Sequence, residues 1–214
     1  MRVFAVIAVI LLAACSNLER YEPRTYVVAS GDTLYSIAWR HGVDTRDLAR
    51  WNALANPNRI TVGQRLVLAP RGAARPATRQ ASAGPIPVSL RPTFGWPTEG
   101  TIAARFGERG ILTTGIGIAG REGQDVTAAA AGRVVYAGGG LADYGQLVII
   151  EHNQSWLTAY GHNRRLIVEQ GQSIVRGEKI AEMGLGPLRQ PRLYFEIRLN
   201  GDPLDPLGLL PGSG

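Results

Sequence analysis

Pro191-Arg192-Leu193-Tyr194-Phe195-Glu196-Ile197-Arg198 reads as a β-strand, rich in branched and aromatic residues. It closes a series of short strands, interrupted by glycine, that begins near Phe94. Gly132 to Ala137 runs into Gly138-Gly139-Gly140. Gln146 to His152 and Trp156 to His162 flank the turn Asn153-Gln154-Ser155, a hairpin signature. Val168 to Gly177, Lys179 to Met183 and Leu193 to Leu199 complete the set. No helical period longer than about ten residues interrupts it, so the spacing indicates an antiparallel β fold.

The frame of 191–198 resembles the last strand of LytM or lysostaphin-type zinc endopeptidases, which carry His-x-His-Phe-Glu-Ile. Both histidine positions are changed here, to Arg192 and Tyr194. Upstream, Thr113-Thr114-Gly115-Ile116-Gly117-Ile118-Ala119 resembles the family's His-x-Gly-Ile-Asp-Ile-Ala, with Thr113 and Gly117 at the two chemical positions. The likeness extends from Trp96 to Leu210 through Trp96-Pro97, Ala128 to Gly132, Tyr144-Gly145, Tyr160-Gly161-His162, Phe195-Glu196-Ile197-Arg198 and Asp205-Pro206-Leu207. It implies a mostly antiparallel, all-β, duplicated-hybrid-motif-like domain over 94–211.

In the active family a histidine, an aspartate and the second histidine of His-x-His hold zinc, leaving a place for water. Those places are Thr113, Gly117 and Tyr194. Glycine offers no ligand atom, threonine is a weak neutral one, and a phenol must first lose a proton. The family's remaining base is Arg192, a permanent cation that repels a dication. Of the constellation only His162 remains. His41 and His152 have no partner at ligand spacing and read as surface or packing histidines. Ser155, Thr113 and Thr114 have no paired base and acid to make them nucleophiles. The expectation is a degenerate homologue with no catalytic residue, metal or cofactor.

Tyr26-Val27-Val28-Ala29-Ser30-Gly31-Asp32-Thr33-Leu34 reads as strand, turn and helix start, with Asp32 as the expected cap. Leu34, Ile37 and Ala38 form one apolar stripe and Gly42 is placed to end the helix. A second helix is expected over Thr45 to Asn52, with Leu48 and Trp51 inward, and a return strand over Arg65 to Leu68. This βααβ pattern over 25–69, a small α+β unit, resembles a LysM domain. The matching positions include Gly31-Asp32-Thr33-Leu34, Ile37-Ala38, Gly42, Leu48, Asn52, Leu54, Pro57, Ile60 and Gly63-Gln64-Arg65-Leu66. The likeness implies binding of N-acetylglucosamine-containing glycans, mainly peptidoglycan, by Gly31, Asp32, Thr33, Leu34, Asn56, Pro57 and Ile60. Leu34, Ile37 and Leu48 are assigned to the core of the small fold.

Residues 1–15 read as a leader. Arg2 precedes the apolar run Val3 to Leu12, too short to span a bilayer, and Leu12-Ala13-Ala14-Cys15 matches the lipobox of bacterial lipoproteins. Cys15, the single cysteine, is then the acylated residue. Ser16 behind it favours the outer membrane by resemblance to sorted lipoproteins. Residues 70–93 are rich in alanine, proline and arginine and read as a disordered linker that gives the modules reach. The chain carries a net charge of +6, and Arg71, Arg75, Arg79 and Arg91 lie in a stretch with no acid. Anionic envelope polymers suit this better than nucleic acid, for which no motif is present.

Lipobox, LysM, linker and degenerate LytM domain follow one another as in NlpD-like murein hydrolase activator lipoproteins. That resemblance implies a periplasm-facing outer-membrane lipoprotein that binds peptidoglycan and activates a periplasmic N-acetylmuramoyl-L-alanine amidase through the vacated cleft of Thr113, Gly117, His162, Arg192 and Tyr194. The alternatives are a zinc-dependent peptidoglycan endopeptidase and a structural tether between outer membrane and wall.

Overall fold

The computed structural model describes residues 24–69, 91–108 and 113–212. The expected leader with Cys15, and residues 70–90 of the expected linker, lie outside them. No helix among the described residues is long and apolar enough to cross a membrane.

In the N-terminal unit β1 (Thr25–Val27) pairs antiparallel with β2 (Arg65–Val67), and α1 (Leu34–His41) and α2 (Thr45–Trp51) lie between them in sequence. Thr33, rather than the expected Asp32, caps α1. Its hydroxyl accepts from Ser36 N–H, and the Ser36 hydroxyl oxygen accepts from Thr33 N–H, both at 3.0 Å. This reciprocal box satisfies two amides of the first turn. The Asp32 carboxylate lies one residue too early and turns back to accept from Tyr26 Oη–H at 2.7 Å and Ala29 N–H at 2.9 Å. Gly42 ends the helix at φ 61°, in the left-handed region where a side chain is strained. Leu34, Ile37, Leu48 and Leu66 are completely buried, with Val28, Ala38 and Leu68 around them. Trp51, expected inward, is only half-buried.

The described residues of the C-terminal unit form a ten-stranded antiparallel sheet. Its strands are β3 (Thr101–Ala104), β4 (Ile116–Ala119), β5 (Asp125–Thr127), β6 (Gly132–Gly138), β7 (Gln146–Glu151), β8 (Trp156–Leu166), β9 (Ser173–Ile174), β10 (Lys179–Met183), β11 (Arg192–Leu199) and β12 (Asp202–Leu204). The main path runs β3-β4-β11-β8-β7-β6-β9. β10 bridges β8 and β5, and β12 flanks β11. One face carries the main core, including Ile116, Ile118, Val148, Ile150, Leu193, Phe195 and Ile197. The alternate residues Val135, Leu147, Ile149 and Ala159 are also buried, because Tyr35 and Trp39 of α1 pack over that second face. Both faces of the central strands are thus covered, which explains the unbroken apolar run 147–150.

His152 is a packing histidine. Its ring nitrogens lie 2.8 Å from the Ala131 carbonyl and 2.8 Å from Thr158 Oγ1, and its edge meets Phe94. Burial pulls its pKa down from 6.5 to about 4, against the opposing pull of the Ala131 carbonyl. Between these values the unfolded chain takes up a proton that the folded chain refuses. This contribution to stability is therefore complete above pH 6.5 and is lost as pH falls toward 4, by about 2–3 kcal/mol. Urea midpoints followed from pH 7 to 4 should drop, and His152→Gln should flatten the slope. An unchanged slope in the variant would remove His152 as the cause.

Candidate functional site

Three adjacent strands bring together most of the positions expected to line a vacated cleft. In their register Gly117 of β4 faces Tyr194 of β11, and Tyr194 faces Gly161 of β8, so His162 falls beside it. The His162 and Tyr194 ring centroids are 6.0 Å apart. Thr113 is exposed ahead of β4 and makes none of these contacts. Its neighbour Thr114 turns inward.

Each position answers the question of a metal. A β-carbon on Gly117 would meet Arg192 Cδ at 2.8 Å, so the arginine stem fills the space an aspartate would occupy. Tyr194, 3% exposed, donates its hydroxyl proton to Glu196 Oε2. Burial first, then the Glu196 charge and hydrogen bond, push that phenol above its ordinary value. His162 is buried at φ 60°, and its Nδ1 has no hydrogen-bond partner among the described residues. Burial, with the Arg192 charge adding to it, lowers its pKa against the pull of the Asp143 backbone. One neutral imidazole, an un-ionised phenol and a guanidinium do not fit the zinc of the active fold. No cluster of three His, Cys, Asp or Glu side chains suited to a metal occurs among the described residues.

What fills the site is a buried polar chain along one face of β11. Residues Arg192, Tyr194, Glu196 and Arg198 share that face by the period of two. Thr114 Oγ1 donates to Glu196 Oε2 at 3.1 Å, alongside Tyr194. Arg198 Nε donates to Glu196 Oε1 at 2.6 Å, with both side chains at 6% exposure or less. The Arg198 guanidinium then lies 3.6 Å from the Trp39 ring centroid, and its Nη1 donates to the Trp39 carbonyl at 3.1 Å. The chain therefore links the cleft to α1. Sequence reasoning missed Thr114, Glu196, Arg198 and Trp39. The signal available was the polar alternation 192, 194, 196, 198 in a strand bearing Leu193, Phe195 and Ile197 between them.

The cleft is also less open than expected. Tyr194 and His162 are buried walls; Arg192 is half-buried and Thr113 exposed. Its rim is the segment Gly184 to Pro191, pinned by the bridge between Leu185 and Pro191 and by Gly186 N–H donating to Gln190 O at 2.9 Å. At its tip Leu188 and Arg189 both adopt left-handed backbone, φ 62° and 56°, and Leu188 is 88% exposed.

Of the expected glycan residues, Gly31, Asp32 and Thr33 form the turn before α1, with Gly31 at φ 83°. Asn56, Pro57 and Ile60 lie in the loop between α2 and β2, where Asn56 Oδ1 accepts from Asn58 N–H at 2.9 Å. Leu34 is completely buried, so it presents no side chain to a ligand.

Residues 26–69 match the LysM domain family and residues 112–206 match Peptidase family M23. The chain is 41% identical to the Lipoprotein NlpD/LppB homolog of Pseudomonas aeruginosa, over 87% of this chain and 76% of that protein. It is 37% identical to the uncharacterized lipoprotein YgeR of Escherichia coli, over 96% and 90%. It is 33% identical to the murein hydrolase activator NlpD of Escherichia coli, over 89% and 69%. Among solved structures, the SpoIIQ–SpoIIIAH pore forming complex includes a chain that superposes with a TM-score of 0.50 at 24% identity, over 56% of this chain and 91% of that one. This last likeness concerns the fold alone. With relatives this similar along most of its length, the chain belongs to the NlpD-type lipoprotein family, carrying a LysM domain ahead of a domain of Peptidase family M23.

Proposed function

We propose that this chain is a non-catalytic, lipid-anchored activator of an N-acetylmuramoyl-L-alanine amidase, acting in cell-wall remodelling and daughter-cell separation. Residues 1–15 are the leader, Cys15 takes the lipid, and the mature protein faces the periplasm from the outer membrane. The 25–69 module binds peptidoglycan, 70–93 links, and 94–211 docks the enzyme. The observation that carries this reading is the replacement of the metal set by a closed polar chain within a preserved scaffold. A relative named a murein hydrolase activator supports it.

The physical logic is a shift of population. An activator that binds the open amidase better than the autoinhibited one moves the equilibrium by that difference in affinity. The rim suits the task. Leu188 and Arg189 hold strained backbone at a cost of about 1–3 kcal/mol each, which projects the apolar Leu188 side chain into solvent at the rim. Gly186 of the same rim packs over the cleft, where a β-carbon would lie 3.0 Å from His162 Nδ1 and 3.3 Å from Arg192 Cβ, and the half-buried Arg192 carries a guanidinium suited to a carboxylate.

Purified protein added to each amidase of the same cell should raise release of stem peptides from sacculi, with no release in the absence of amidase. Leu188→Asp should cut that stimulation about tenfold while leaving the melting curve unchanged. Unchanged amidase rates with all cognate enzymes would leave only a wall tether. Hydrolysis by the protein alone, with stoichiometric zinc, would return it to the endopeptidases.

A further inference from the structure

We propose that the crevice between the two domains is a saccharide site, in which the β domain supplies the second wall for a neutral N-acetylated glycan held by the LysM module. The inference rests on the peptidoglycan-binding reading above and adds a site to it. The crevice has a volume of about 310 Å³, at the small end of the range for ligand sites, which favour domain interfaces. From the LysM side it is walled by Thr45 and Ala49 of α2 and by Leu54 and Pro57 of the following loop. From the β domain come Glu151, Gln154, Ser155 and Leu157 around the β7–β8 turn. Gly31, Asp32 and Thr33 do not line it.

The two walls are fixed to one another. Tyr35 Oη–H donates to Glu151 Oε1 at 2.9 Å, and an Arg46 Nη–H donates to Asn200 Oδ1. Gly201, at φ 85°, approaches α2 so closely that a β-carbon there would lie 2.7 Å from Asp44 N. The crevice is thus preformed, which lowers the ordering cost of binding.

Its chemistry selects the occupant. Leu54, Pro57, Ala49 and Leu157 provide an apolar floor suited to the faces of pyranose rings. Gln154, Ser155 and Thr45 provide neutral donors and acceptors for hydroxyl and acetamido groups. The two arginines at its edge are paired, Arg46 with Asp44 and Arg50 with Asp47, and the Glu151 carboxylate accepts from the Tyr35 hydroxyl. The one negative charge left over, on Glu151, disfavours an anionic ligand and leaves a neutral one. Leu54 and Pro57 belong to the very loop through which the LysM module is read to hold glycan, so a strand bound there runs on along the β7–β8 turn.

The test is calorimetric titration of the full chain in detergent with a chitooligosaccharide, an N-acetylglucosamine oligomer. Gln154→Ala combined with Ser155→Ala, both on the β domain, should weaken binding about five- to tenfold. Gln154→Trp, which fills the mouth of the crevice, should weaken it at least as much, with melting curves unaltered in both. Full affinity in both variants, alongside loss in a Pro57→Asp variant of the LysM loop, would overturn the composite site and leave glycan binding by LysM intact. No binding by the unaltered chain would overturn the glycan reading and this site together.

Discussion

Glu196→Ala is expected to destabilise the β domain by about 3–5 kcal/mol, the largest loss of any single truncation in the cleft. The reason is what the carboxylate leaves behind rather than the bonds it makes. Glu196 is completely buried at the centre of β11 and is the acceptor for three donors: Arg198 Nε, the Tyr194 hydroxyl and the Thr114 hydroxyl. Without it the Arg198 guanidinium, 5% exposed, keeps its charge in the interior with no anion opposite. The two hydroxyls fare better, since Thr114 Oγ1 and Tyr194 Oη stand 3.0 Å apart and can bond to each other. A chemical denaturation midpoint measures the loss. Glu196→Leu combined with Arg198→Met removes both charges and should return to within about 1–2 kcal/mol of the parent, because a buried ion pair replaced by packed apolar groups is often neutral. A loss below about 1 kcal/mol in Glu196→Ala would mean that water already reaches Arg198 and that the polar chain is not closed.

That chain marks the limit of what residue order alone conveys. The strands of the β domain were legible because glycine punctuation and β-branched runs are local signals, and α1 and α2 were legible from Gly42 and the stripe at Leu34, Ile37 and Ala38. The cap was misread by one residue, since Asp32 and Thr33 are both good caps and only the backbone decides which oxygen reaches Ser36 N–H. A motif frame singled out Thr113, Gly117, Arg192 and Tyr194 as the positions to inspect. How they are filled it did not show. Arg192 lying over Gly117, and Glu196 gathering Tyr194, Thr114 and Arg198, depend on side chains that are distant in sequence and adjacent only through the register of β4, β11 and β8. The packing of LysM against the sheet was the largest omission. A proline-rich linker suggests independent modules, while the all-buried run 147–150 already required a cover on both faces.

Trp39→Ala tests that cover, and its effect should approach the first in size, about 3–5 kcal/mol. Trp39 is 3% exposed, yet most of what it touches lies outside its own module: Arg198 stacks on its ring, and it shares a cluster with Val135, Tyr136, Leu147 and Ile149. It is absent from the small LysM core of Leu34, Ile37, Leu48 and Leu66. The loss should therefore fall on docking rather than on the LysM fold itself. Hydrogen–deuterium exchange separates the two: amides of β6 and β7 and of the α1 face toward them should exchange faster, while those of β1 and β2 keep their protection. Arg198 would also lose its aromatic partner and, through Glu196, loosen Tyr194 in the cleft, so amidase stimulation should fall although no residue of the rim has changed. Gly201→Val attacks the same interface from the β domain, since any side chain there meets the Asp44 backbone. If both variants kept parental exchange in β6 and β7, the two domains would be neighbours without being coupled, and the polar line along β11 would end at Arg198 instead of carrying the state of the LysM module into the cleft.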